Sequence, residues 1–101
     1  MRDQLLSLKQ EFKVIREFNI YNINTHQFEV LESNECATLV SNLDEMDCLQ
    51  DMSQMNLETD NQEYFIQRSD HKMAVLSLDK TKVYNKALLH IKVKNTLKKF
   101  A

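Results

Sequence analysis

The 101-residue sequence contains no glycine, no proline and no tryptophan. Average usage would supply roughly seven glycines and five prolines in this length. Without glycine no residue reaches positive φ free of steric cost, and without proline there is no rigid turn punctuation. Tight turns therefore fall to aspartate and to the nine asparagines. The same absence excludes a glycine-rich phosphate cradle, a dinucleotide-binding fingerprint and a glycine-built nucleophile elbow.

Charge of one sign is missing from two long stretches. From Glu17 to Gln67 there are eleven acids and no lysine or arginine. From Lys80 to Ala101 there are seven lysines (Lys80, Lys82, Lys86, Lys92, Lys94, Lys98, Lys99) and no acid. The net charge of -2 hides two blocks of opposite sign, which bears on partners and solubility and not on fold.

Long apolar runs are also missing. The longest is Met73 to Leu76, far short of the roughly 20 residues of a membrane span. Met1-Arg2-Asp3-Gln4 leads into a charged amphipathic segment and does not read as a signal peptide. Cys36 and Cys48 form neither a zinc spacing nor C-x-x-C. On one helix they would lie about 18 Å apart, too far for a disulfide. The expectation is a soluble, intracellular, cytoplasmic protein (in the host cytoplasm if phage-encoded) with two free thiols and no membrane partner.

What is present suits one globular domain over residues 1–101, with 43% hydrophobic and 28% charged residues. Leu5, Leu8, Phe12 and Ile15, widened by Val14 and Phe18, predict a helix over 3–18. Ile20–Ile23 and Phe28–Leu31 read as a hairpin, with Asn24 the residue best able to turn left-handed. Cys36–Val40 reads as a third strand or the opening of the next helix. Ser41 or Asn42 caps a helix over about 43–54, and the polar segment 56–62 reads as loop. Glu63–Arg68 and Met73–Leu78 form a second hairpin. Asp79 caps a helix from Lys80, whose Val83, Tyr84, Ala87, Leu88 and Ile91 share one face. Val93, Leu97 and Phe100 fall on roughly the opposite side, so a straight helix cannot bury both sets against one surface. Either that helix carries a second apolar face, the favoured reading, or residues 89–94 form a strand. The fold class is α+β: a small antiparallel sheet of two hairpins, with a possible fifth strand, and N-terminal, middle and C-terminal helices. The lack of glycine and proline keeps an all-α alternative open. The order of elements resembles class I type III secretion chaperones, small acidic α+β dimers that hold effector segments. That resemblance implies a dimer that binds another polypeptide; it rests on element order and on no shared motif.

No catalytic, metal or cofactor constellation emerges. Ser69-Asp70-His71 holds triad residue types as sequence neighbours, whose side chains point apart. His26, His71, His90, Cys36 and Cys48 are too scattered to be a metal motif. Asp44, Asp47 and Asp51 share a helix side without EF-hand spacing, and serve as a solvated face or a docking surface for a basic partner. The lysines could meet phosphates, but the block has no arginine and, at helical spacing, they spread around the axis. The expected function is a non-enzymatic adaptor, chaperone-like or inhibitory protein, acting on another protein and as a homodimer. Its partner-binding residues would be Val93, Leu97, Phe100, Lys92, Lys94, Lys98, Lys99, Asp44, Asp47 and Asp51. A nucleic-acid binder using the basic C-terminal segment is the alternative.

Overall fold

The computed structural model describes residues 2–32, 34–46, 53–60 and 62–100. Among these residues the chain runs α1 (Arg2–Glu11), β1 (Ile15–Asn22), β2 (Gln27–Val30), α2 (Asn34–Glu45), β3 (Gln54–Glu58), β4 (Glu63–Ser69), β5 (Lys72–Leu78) and α3 (Lys86–Phe100). The strands form one antiparallel sheet in the order β2-β1-β5-β4-β3. This is a small α+β fold of three helices on a five-stranded sheet.

β5 is the central strand, and all of its residues are buried. Its sequence Lys72-Met-Ala-Val-Leu-Ser-Leu78 is a near-continuous apolar run, as expected of a strand covered on both faces. Ala74, Leu76 and Leu78 face one layer, formed by α1 and α3 with Leu5, Leu8, Leu89, Val93 and Leu97. Met73 and Val75 face the other, where α2 contributes Cys36, Val40 and Leu43. The sheet is thus sandwiched, with two helices on one face and one on the other. Each fully buried leucine or valine stabilises the fold by roughly 1.5–3 kcal/mol.

α1 stops at Glu11, earlier than its apolar stripe predicts. Phe12 N–H still bonds to Leu8 O at 2.9 Å, but Ile15 begins β1. From there Phe18 and Ile20 point into one core while Tyr21 joins the other, so the period has become two. Asn19 is buried on β1, donating to Val75 O at 3.1 Å and accepting from Glu32 N–H at 2.6 Å. The first hairpin forms as expected, but its left-handed residue is His26 (φ 56°), not Asn24. Asn22 Oδ1 accepts from the N–H groups of Asn24 and Thr25, which fixes the turn early and leaves the reversal to His26. In β2 the register jumps from Ile20↔Val30 to Tyr21↔Phe28, making Glu29 a bulge. The bulge explains how Val30 and Phe28 reach opposite cores.

Cys36–Val40 is helix, not strand. Cys36, Val40 and Leu43 repeat at spacings of four and three, and burying that stripe outweighs the β-branched character of Thr38 and Val40. The expected 43–54 helix is therefore displaced toward the N-terminus, and residues 47–52 lie outside the described set. The fifth strand is β3, within a segment expected to be helix end and loop. The second hairpin holds as predicted, with Ser69↔Lys72 paired around a two-residue turn. There Asp70 takes φ 57°, the role a glycine fills elsewhere. The extra strand follows α2 and does not precede it, so the element order behind the chaperone resemblance is not the one observed.

Candidate interaction surface

The segment after β5 decides which face of α3 meets solvent. Asp79 does not cap a helix; its Oδ1 accepts from Thr81 N–H (2.9 Å) and from the Thr81 hydroxyl (2.6 Å), closing a local turn. The α3 cap is Asn85, whose Oδ1 accepts from Leu88 N–H at 3.1 Å. Tyr84, half-buried, donates its hydroxyl to Glu63 at 2.8 Å, and burial together with that carboxylate pushes its phenol well above the ordinary range. Starting at Lys86, α3 turns Leu89, Val93 and Leu97 into the core, all fully buried.

This reverses the expected orientation. Val93 and Leu97, predicted to face a partner, lie beneath the chain's own sheet, and the side chain of Phe100 lies outside the described residues. The face expected to be buried is the outward one: Leu88 is 40% and Ile91 57% exposed, and Val83 projects fully from the preceding loop. At 100° per residue, Leu88, Ile91 and Asn95 form the centre of the outward face. Lys94 and Lys98 flank it on one side, Lys92 and Lys99 on the other, and all four are exposed. Lys92 lies 3.6 Å from Glu11; among the described residues no ion pair to an acid engages the other three. A cleft of about 440 Å³ between α1 and α3 is lined in part by Glu11, Lys92, Asn95 and Lys99.

His90 sits at the inner edge of this helix. Its ring stacks on Phe65 (centroids 4.1 Å apart, planes 7° apart), and Nδ1 lies 3.3 Å from Gln54 Nε2. Nε2 is buried with no hydrogen-bond partner. Burial, reinforced by Lys86, holds the imidazole below its ordinary pKa and so favours its neutral form.

The acidic side of the molecule is organised differently. Asp44, on α2, accepts from the Tyr21 hydroxyl at 2.8 Å and lies 2.7 Å from His26 Nδ1. Hydrogen bonds from His26 and then Tyr21 hold its carboxyl below the usual carboxylate range. Burial, with help from Asp44, pushes the Tyr21 phenol up to about 12. Asp44 is thus a tie between α2 and the first hairpin, with both contacts on its Oδ2. Asp47 and Asp51, and also Cys48, lie outside the described residues, while Cys36 is buried. Ser41 lines the same small cleft as His26 and Asp44. Ser69-Asp70-His71 is the β4–β5 turn, where His71 O accepts from Ile23 N–H at 2.8 Å. Nothing local in the sequence announces the Tyr21–His26–Asp44 cluster; its members meet only when α2 docks on the sheet.

The sheet also sorts charge. α2 carries Glu35, Asp44 and Glu45 and no base, whereas α3, in the opposite layer, carries five lysines and no acid. A second apolar exposure lies between α1 and β2, where Leu6 and Leu31 border a cleft beside the 2.6 Å Lys9–Glu32 ion pair. No helix among the described residues is long and apolar enough to cross a membrane. No protein-family model matches the chain, and no curated protein matches its sequence.

Proposed function

We propose that this chain is a non-enzymatic interaction protein that docks an acidic protein partner on the outward face of α3. The observation that supports this most is the pairing of an exposed apolar strip, Leu88 and Ile91, with a lysine row on either side. An apolar centre within a charged rim has the anatomy of a protein interface. The lysines set the sign of the partner and steer its approach. A polyanionic nucleic acid would use the lysines but would gain nothing from Leu88 and Ile91.

The test is a cross-linked pulldown from the native host with the intact chain and two variants, Ile91→Ser and Lys94→Glu/Lys98→Glu. The expected result is an acidic protein recovered by the parent, reduced by Ile91→Ser, and lost with the charge reversal. Recovery of nucleic acid, reduced by the charge reversal and indifferent to Ile91→Ser, would support the nucleic-acid alternative instead. Equal recovery by all three chains would remove α3 from any role.

A further inference from the structure

Among the described residues the sheet ends in two open edges, and only one is shaped to receive another strand. β2 is interrupted by its bulge, which bends it and breaks the row of outward backbone groups. β3 pairs with β4 without a shift, from Gln54↔Gln67 to Glu58↔Glu63. No described strand pairs with its outer side. It also lacks lysine, proline and a bulge, the usual devices that blunt such an edge.

Hydrogen bonds at its two ends determine which groups lie on that edge. Arg68 N–H donates to Ser53 O at 2.9 Å, and Thr59 N–H to Gln62 O at 2.8 Å. By antiparallel alternation Met55 and Leu57 also turn their N–H and C=O toward β4. Gln54, Asn56 and Glu58 turn theirs outward.

We infer that β3 is a dimerisation edge whose occupant is β3 of a second copy, antiparallel, on a two-fold axis through Asn56. In that register Asn56 faces its own copy, Gln54 faces Glu58, and Met55 faces Leu57. Every outward N–H and C=O of the three residues meets its counterpart. On the α2 side the half-buried Met55 and Leu57 close over one another. On the α3 side Glu58, the strand's one charged side chain, lies opposite an amide and not another carboxylate. Slipping the strands until Glu58 faces its own copy would set like charges together. Slipping the other way carries Glu58 beyond the partner strand. The symmetry is closed and isologous, and the two sheets become one. A strand this short buries less than a standard interface, so the dimer dissociates on dilution. The pairing uses no residue of the outward α3 face and is independent of the function proposed above.

The test is sedimentation of the full chain from low to high micromolar concentration, beside Asn56→Pro. Proline removes an outward N–H and leaves the β4 ladder whole, as edge strands tolerate. The parent is expected to approach twice its 12.0 kDa mass, and Asn56→Pro to stay monomeric with an unchanged far-ultraviolet spectrum. Should Asn56→Pro misfold, cysteine cross-linking in a Cys48→Ser background reads the same register. Opposed residues of a hydrogen-bonded pair lie about 5.5 Å apart at Cα, within disulfide range. Asn56→Cys is expected to form a covalent dimer on mild oxidation, and Glu58→Cys is not. A parent that stays monomeric, a folded Asn56→Pro that dimerises equally well, or Glu58→Cys cross-linking as readily as Asn56→Cys overturns the inference.

Discussion

Replacing His90 by phenylalanine is expected to stabilise the protein and to flatten part of its pH profile. The parent ring lies flat on Phe65, and its Nε2 is buried without a partner. A buried, unsatisfied polar atom costs about 1–3 kcal/mol, whereas the neutral contact to Gln54 contributes about 0.5–1.5 kcal/mol. Phenylalanine keeps the stacking, removes the orphaned nitrogen and gives up the Gln54 contact, for a net gain of about 1 kcal/mol. In a domain of this size that raises Tm by about 4–8 °C. The pH effect has a definite sign. His90 is held below its ordinary pKa in the folded chain, so from about pH 6.5 downward the unfolded chain takes up a proton that the folded chain refuses. Stability therefore falls with falling pH until the folded-state pKa is reached, at no more than about 1.4 kcal/mol per pH unit from one proton. Above that window the group contributes no pH dependence. Urea unfolding followed by circular dichroism at pH 7.5, 6 and 5 would measure both effects. If His90→Phe is less stable than the parent at pH 7.5, or loses stability as steeply between pH 6.5 and 5, the account of His90 is wrong.

Three further outcomes follow from the packing. Leu97→Ala should lose about 2–5 kcal/mol in urea unfolding because Leu97 is fully buried, while Ile91→Ala on the outward face should change stability by no more than about 0.5 kcal/mol. Asn85→Ala removes the α3 cap and should cost about 1 kcal/mol by the same assay; Asp79→Ala, which caps no helix, should leave the helical signal of α3 unchanged. Asp44→Asn should reduce acid sensitivity below about pH 4. The parent carboxyl is held low in the folded chain, so its contribution is present above the unfolded pKa and lost as pH falls through the folded one.

The two proposed surfaces divide the work between chemistry and backbone. The α3 face discriminates by charge and by a small apolar strip. The β3 edge carries main-chain donors and acceptors with almost no charge. A dimer through β3 would set both α3 helices on the same side of one extended sheet, since a two-fold axis normal to the sheet keeps each face on its own side. A partner meeting one α3 would then find a second at a fixed distance, and the gain in avidity depends on whether it can span both.

Some of this protein is legible in residue order alone. The β4–β5 hairpin is evident because each strand is a short apolar run bounded by a Ser-Asp-His-Lys turn. The use of an aspartate, Asp70, for the second reversal follows from having no glycine, whereas His26 takes the place expected of Asn24 in the first. Even β3 left a trace: Gln54-Met-Asn-Leu-Glu58 alternates polar and apolar with period two, though its high polarity reads as loop. The orientation of α3 is of another kind. Leu88 and Ile91 are as hydrophobic as Leu89, Val93 and Leu97, and both sets recur at helical spacing. Local periodicity has no term that prefers one over the other. The choice rests on Phe65 and Leu76 of the sheet and on Leu8 of α1, which offer one complementary surface to Leu89, Val93 and Leu97. A helix with two apolar faces and one available core must leave one of them in water, and which one it leaves is a property of the assembled layers.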